Sequence, residues 1–579
     1  MTMIGPEEKL RKSYVVGAVL LVLPLYLWML FFPVTGGLMA EAALAVQQLS
    51  GQTWHVMSDF FADLNLQHYP LNIYLSSVII PGAEQFPHLA LRLLPLLLVA
   101  ALAVGCGVLA GRLFNRSSLP VAAAVVLAMP LMVYAGVNTP GHILFATLIG
   151  GAWFVVFYYG FTGNNWLHAW LIALLLVFVA AFEKGLLAYV YFYLPLLFLR
   201  RPIRAWHYLL KPMHLLMLFT TLALFALWFA EMAPEGFSLL EAGGKNLQGF
   251  MNDNNYLLRL IVFPIVSVLV LMPWPLFSWA AYCAAFKPLE KQPEVMHYVR
   301  TIVISIFILT WLMPPFAIAE LVVIIPPFAV MTAAHYEILM RRYRRSYLLY
   351  AKIMFLFVTA VAFILYLVYF FDVYNIVAIL PGWDISTLTI VIPPVLMLGG
   401  YLLIIRANKL AVWLQFTFAI AIFLFCYLSI SGVLSSYRAT FFKERSRQLV
   451  EQVPDDTVVY LLLTSVDPEY LYYLDRPLKR VENADAVPDD IDEVYALGRE
   501  RPPIAETIDW QSISESIDIV DAQSWKLRFP TPGKSWLMLD TGVSDSVDEE
   551  GDEEEEEEEE GGGEAPVKVR MYQATEEEE

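Results

Sequence analysis

Glu183 and Lys184 stand side by side in "FEKGLLAYVYFYLPLL" (182–197), between two apolar runs. A carboxylate beside an ammonium in that setting has two readings. It is an interface cation with its own counterion, or it holds a phosphate near the membrane surface. Arg92, in "PHLALRLLPLLL", either snorkels from a helix end or faces a phosphorylated ligand. His68, beside Tyr69 and Pro70 in "HYPLNIYL", is a loop packing residue or a catalytic one, and Arg259 in "NNYLLRL" is a further isolated cation. Upstream, "VTGGLMAEAALAVQQLSGQTW" (34–54) has the look of a helix lying on a membrane surface, with a single carboxylate, Glu41. Glu41 is either the wet face of that amphipathic helix or an acid–base group, and Asp59 and Asp63 follow it.

Other chemistries are missing their residues. "EAGGKN" has a Gly-Lys pair without the glycine spacing of a phosphate-binding loop. There is no H-E-x-x-H and no Cys or His pair at ligand spacing, so no metal ligands and no cofactor are expected. "DDIDE" (489–493) imitates a carboxylate metal motif, but its polar surroundings read as a solvated loop. Cys106, Cys283 and Cys426 all fall inside apolar runs and read as inert packing residues.

The elements that must carry these groups are membrane helices. Of 579 residues, 58% are hydrophobic and 16% charged, with a mean hydropathy of +0.59. A soluble chain could not cover that apolar surface. The net charge of −18 comes from the C-terminal end, chiefly "DEEGDEEEEEEEE", and nucleic acid is not an expected partner. Apolar runs near 14–33, 88–111, 119–137, 141–160, 166–182, 185–199, 207–231, 257–286, 298–315, 319–339, 350–371, 386–405 and 410–435 predict about thirteen spans. The first is long enough to be a retained anchor.

Basic clusters recur at alternate connections: Lys9, Arg11 and Lys12, then Arg112 and Arg116, "RRPIRAWHYLLK", "KPLEK", "RRYRR", and Arg406 with Lys409. By the positive-inside rule the N-terminus is cytoplasmic and everything after about residue 436 is outside. The predicted domains are a transmembrane part, 1–436, with an outer loop at 34–87; an extracytoplasmic α/β domain, 437–543; and a disordered acidic tail, 544–579. Strands are expected in "DTVVYLLL", "SIDIVDA" and "KSWLMLD". No internal repeat of the transporter kind is present.

Taken in order, these segments resemble the GT-C glycosyltransferases of family 39 and their bacterial relatives, which include protein O-mannosyltransferases and lipid A aminoarabinose transferases. "HYPLNIYL" is similar to their Lys/His-Pro-Pro-Leu-Tyr-Tyr-Trp motif, with Tyr69 in place of a proline. "LALRLLPLL" resembles their Ala-Arg-Leu-Pro segment, and "GVLAGRLFNRSSLPVAAAVVLAMPL" their next helix pair. "EKGLL" resembles their Thr-Lys-Gly-Pro, which places Lys184 on the family lysine. "LMPWPLFSW", "ELVVIIPPFAV" and "DPEYLYYLDRPLKRV" resemble later family segments, so the likeness runs from about residue 10 to 540.

The resemblance implies an inverting transferase at the outer face of the cell inner membrane. It would move a sugar from a polyprenyl-phosphate carrier to an envelope lipid, glycan or protein. A loop carboxylate would serve as base, and cations would hold the lipid phosphate. The chain departs from that pattern at the site. The acidic pair falls on Gly36 and Gly37, the next acidic position falls near Gly141 and His142, and the late lysine is Glu320. Glu41, Asp59 and Asp63 are then the remaining candidate bases. His68, Tyr69, Arg92, Glu183, Lys184 and Arg259 are the candidate substrate contacts. The alternative is a catalytically inactive relative that binds lipid or scaffolds an envelope assembly.

Overall fold

The computed structural model describes residues 22–49, 70–199 (except 81 and 84), 205–232, 256–312, 318–373 and 411–450. Beyond these it describes short segments at 459–461, 468–474, 478–480, 495–498, 509–512, 517–519 and 567–575. After a helical stretch at 22–29 come α1 (Gly37–Leu49), α2 (Pro70–Ile79), α3 (Pro87–Leu113), α4 (Ser118–Leu127), α5 (Pro130–Asn138) and α6 (Gly141–Val155). There follow α7 (Trp166–Lys184), α8 (Leu187–Phe198), α9 (Pro212–Met232), α10 (Tyr256–Leu271), α11 (Pro293–Leu312), α12 (Ile325–Val373), α13 (Val412–Val450) and α14 (Pro468–Leu474). Proline sets many starts: α2, α3, α5, α9, α11 and α14 all open on one, where its missing N–H costs nothing and its φ already suits a helix.

Among the described residues, seven helices are long and apolar enough to cross a membrane, or nine if two bent pairs each count as one span. The chain is a multi-pass membrane protein. The predicted run at 119–137 is one bent pair, α4 and α5, broken by 40°. The run at 257–286 is the other, broken by 96° between Leu271 and Pro275. The run at 185–199 yields α8, too short by itself, and 386–405 lies outside the described residues. The runs at 319–339 and 350–371 fall largely in two helical segments of α12 that meet at a kink at Tyr343 (φ −122°, ψ 20°), inside the arginine cluster between them.

Two compact units share the chain. The first comprises residues up to 32, 45–370 and 385–432. Its core is aromatic, and the polar handles of the rings join helices: Trp153 Nε1 donates to the Phe192 carbonyl (3.2 Å) and Tyr298 Oη to that of Trp153 (2.8 Å). Small residues let α3 and α4 approach closely, since a Cβ at Gly107 would lie 3.0 Å from the Leu119 carbonyl oxygen. The residue that follows α7 is Gly185, at φ +60°, a conformation that L side chains rarely adopt. The helix therefore ends at Lys184.

The second unit takes residues 33–44, 371–384 and 433–579. Six short strands, β1 (Val459–Leu461), β2 (Leu478–Arg480), β3 (Tyr495–Gly498), β4 (Asp509–Ser512), β5 (Ile517–Ile519) and β6 (Val567–Thr575), form its sheet. Its order is β2-β1-β3-β6-β4, with β5 also on β6. β1 pairs in parallel with β2 and β3, and β6 runs antiparallel to β3, β4 and β5. Within the tail expected from the sequence, "VKVRMYQAT" (567–575), which is free of glutamate, forms β6; the glutamate run before it lies outside the described residues. β1 and β5 fall in expected strands; "KSWLMLD" lies outside the described residues.

Candidate functional site

Lys184, the last residue of α7, ion-pairs with Glu320, whose 3-10 turn Ile318–Ile324 leads into α12. Both side chains are largely buried, at 6% and 21% exposure. The α8 hydroxyl of Tyr191 donates to the second oxygen of Glu320 at 3.0 Å. His142 Nε2, from the first turn of α6, lies 4.0 Å from the first. The Lys184 ammonium also sits 5.1 Å from the centre of the Phe145 ring, whose edge meets Tyr191. Four elements thus converge on one cation and one anion in an aromatic shell. An ammonium in such a shell is an anion-binding group, and here a carboxylate of the chain itself is the anion.

Glu183 points elsewhere. Its Oε2 accepts the N–H of Asn72 in the first turn of α2 at 3.0 Å, satisfying one of the helix's orphan donors. Glu183 is only 2% exposed, and its Oε1 and the Asn72 Oδ1 are buried without a hydrogen-bond partner. Arg92 does not snorkel. It is 3% exposed and donates to the carbonyl of Phe32, beside a small cleft lined with Tyr26, Leu96 and Ile143. Arg259 lies in α10, and Glu41 is half-buried on α1. Asp59, Asp63, His68 and Tyr69 lie outside the described residues.

Of the residues singled out in the sequence, Lys184 is therefore joined by Glu320 and His142. Tyr191 and Phe145 went unnominated, although a lone carboxylate in "FAIAELVVII" demands a cation partner.

Gly36 is held within the second unit. Gly36 holds φ +89° and its N–H donates to the carboxylate of Glu469 on α14. Glu469 is fully buried and also accepts from Arg438 Nε at 2.7 Å. Tyr473 Oη donates to the Val34 carbonyl (2.8 Å), so α14 grips the residues just before α1.

A separate charged cluster lies near the start of α11. The buried Glu290 receives Arg300 Nη1 and Nη2 at 2.5 and 3.3 Å, and His335 Nε2 lies 3.2 Å away. Burial pushes the Glu290 carboxyl up, but the hydrogen bonds to His335 and Arg300 and their charges outweigh it and hold it below the usual range.

No family model matches the sequence, and no curated protein matches it. Solved structures do. The apo crystal structure of ArnT from Cupriavidus metallidurans matches with a TM-score of 0.56 and 16% identity, over 84% of this chain and 92% of that one. The structure of the same protein bound to undecaprenyl phosphate matches with a TM-score of 0.59 and 14% identity, over 88% and 97%. At such identity the likeness is one of architecture: this chain shares the fold of that ArnT.

Proposed function

We propose that the protein is an inverting membrane glycosyltransferase that moves a sugar from a polyprenyl-phosphate carrier to an envelope lipid, glycan or protein. The observation that carries this reading is the buried Lys184, set among Tyr191, Phe145 and His142 in a fold whose solved example holds undecaprenyl phosphate. In this reaction a carboxylate takes the proton of the acceptor's nucleophile, which attacks the anomeric carbon. The bond from that carbon to the phosphate oxygen breaks, and the charge gathering on the leaving lipid phosphate is met by Lys184. The sequence candidates for the base are Glu41, Asp59 and Asp63. His68, Tyr69, Arg92, Glu183 and Arg259 are proposed to line or support the substrate path.

The reading also places about thirteen crossings in the cell inner membrane, with a cytoplasmic N-terminus and an extracytoplasmic α/β domain. That domain includes residues 567–575, beyond the acidic run.

The test is mass spectrometry of envelope lipids, glycans and proteins from cells with and without the gene, complemented by variants. Lys184→Ala should abolish the modification. At least one of Glu41→Gln, Asp59→Asn and Asp63→Asn should lower turnover by roughly 10²–10⁴-fold, the usual worth of a positioned base.

Two observations favour a second reading, a non-catalytic lipid-binding or scaffold subunit. Lys184 already has an anion, and glycines stand where the family's acidic pair aligns. All three carboxylate variants leaving the cellular phenotype intact, with Lys184→Ala destroying it, would decide for that subunit.

A further inference from the structure

Lys184 and Glu320 pose a question that lipid-phosphate binding by itself does not answer: what becomes of the carboxylate when the phosphate arrives? The Lys184 side chain is 6% exposed, so its ammonium is enclosed; Glu320, at 21%, is the more open partner. The enclosing groups are the Phe145 ring at 5.1 Å, Tyr191 on the far oxygen of Glu320, and His142. A phosphate within hydrogen-bond reach of Nζ would stand beside a carboxylate bonded to the same nitrogen. In a buried setting two anions so close repel strongly, and one ammonium does not balance both.

From this geometry we infer that Glu320 is an internal counter-anion, and that a lipid phosphate loads onto Lys184 only by taking its place. The inference rests on the lipid-phosphate reading of the site and adds its specificity element. Tyr191 and His142 already face the two oxygens of Glu320, so the displaced carboxylate keeps a donor while the ammonium changes partner. The same exchange run backwards clears the site. A free polyprenyl phosphate carries more negative charge than the phosphodiester donor, so return of Glu320 opposes the leaving lipid more than the incoming one. The carboxylate thus weakens product binding without any further group. Sequence alone would count position 320 as a lost cation, whereas the geometry makes it a competitor.

The test uses the full chain in detergent with undecaprenyl phosphate as probe, read by native mass spectrometry or a direct titration. Glu320→Gln keeps the shape and removes the competing charge, so it should bind the probe at least about tenfold more tightly than the wild type. That is a modest share of the repulsion between charges this close. Lys184→Met with Glu320→Gln removes both charges and should bind no better than Lys184→Met alone.

Should Glu320→Gln prove unstable, the phosphate supplies the missing anion. Its melting temperature should then rise with added lipid by more than the wild type's does. Unchanged or weaker binding by Glu320→Gln, with Lys184→Met weaker than wild type, would overturn the exchange and leave the lipid-phosphate site standing. Absence of binding by both the wild type and Glu320→Gln would overturn the site and the exchange together.

Discussion

Replacing Arg438 with alanine should destabilise the C-terminal unit more than replacing its partner Glu469, although the two share one ion pair. The asymmetry follows from burial. The Glu469 carboxylate is fully enclosed, whereas the Arg438 side chain is 25% exposed. Arg438→Ala takes the 2.7 Å cation from a carboxylate that water cannot reach, a loss of about 3–5 kcal/mol for buried pairs. Glu469→Ala leaves an arginine that water can partly solvate and that lies over the Phe442 ring at 5.4 Å. It also strips the Gly36 N–H of its acceptor, so its cost is about 1–3 kcal/mol. The double variant removes both charges and should cost less than the two single losses added, with a coupling of about 1–3 kcal/mol. Pulse proteolysis of the detergent-solubilised full chain across a denaturant series reads these differences from cleavage after residue 433. Strict additivity, or a Glu469→Ala loss as large as that of Arg438→Ala, would refute the reasoning.

Three further outcomes are expected. Ending the chain at Pro566 removes β6, to which β3, β4 and β5 all pair; the truncated protein should insert but its C-terminal unit should be cleaved much faster by added protease. Acidification should loosen the Glu290 latch. Because its carboxyl is held below the unfolded value of about 4.3, the stabilisation is complete above that pH and fades as pH falls through the lower folded value. A Glu290→Gln variant should therefore show a flatter decline in melting temperature below about pH 5 than the wild type. Gly160→Ala puts a Cβ 2.8 Å from the Trp166 ring, which is itself stacked on Tyr208, so thermal melting should show a loss of about 1–3 kcal/mol from overpacking.

The helical, multi-pass architecture was legible because span length is set by bilayer thickness, and an apolar run of eighteen or more residues has few other places to go. The bends were not. The 96° break after Leu271 sits among Met272, Pro273, Trp274 and Pro275, where two prolines announce an interruption but not its angle. The arginine cluster at 341–345 marks the break by its charge, but the break is a kink at Tyr343 rather than an extended loop, because Arg is a good helix former on either side of it. At the site, Lys184 was visible as a cation lodged between apolar runs. Its partner was not, because Glu320 lies 136 residues away and the packing of the 3-10 turn against α6 and α11 brings it near. β6 was hidden by composition. Averaged with the glutamates before them, its nine residues carry little strand signal.

The charges at the site obey one constraint whichever function they serve. A lysine 6% exposed in an aromatic shell needs an anion beside it, because a buried charge without a partner is costly. A chain that relies on ligand phosphate alone leaves that lysine uncompensated whenever the site is empty. This one carries Glu320, so the empty site is balanced and any arriving anion must compete. The same substitution logic holds at Gly36, where φ +89° would strain an aspartate by about 1–2 kcal/mol and the N–H is already committed to Glu469. An aspartate at position 36 would therefore set a second carboxylate beside Glu469 on a backbone shaped for glycine. It follows that neither Glu320 nor Gly36 is a position that a single substitution changes freely. Each is fitted to a partner elsewhere in its own unit, Lys184 for Glu320 and Glu469 for Gly36, and a change of charge at one member alters the setting of the other.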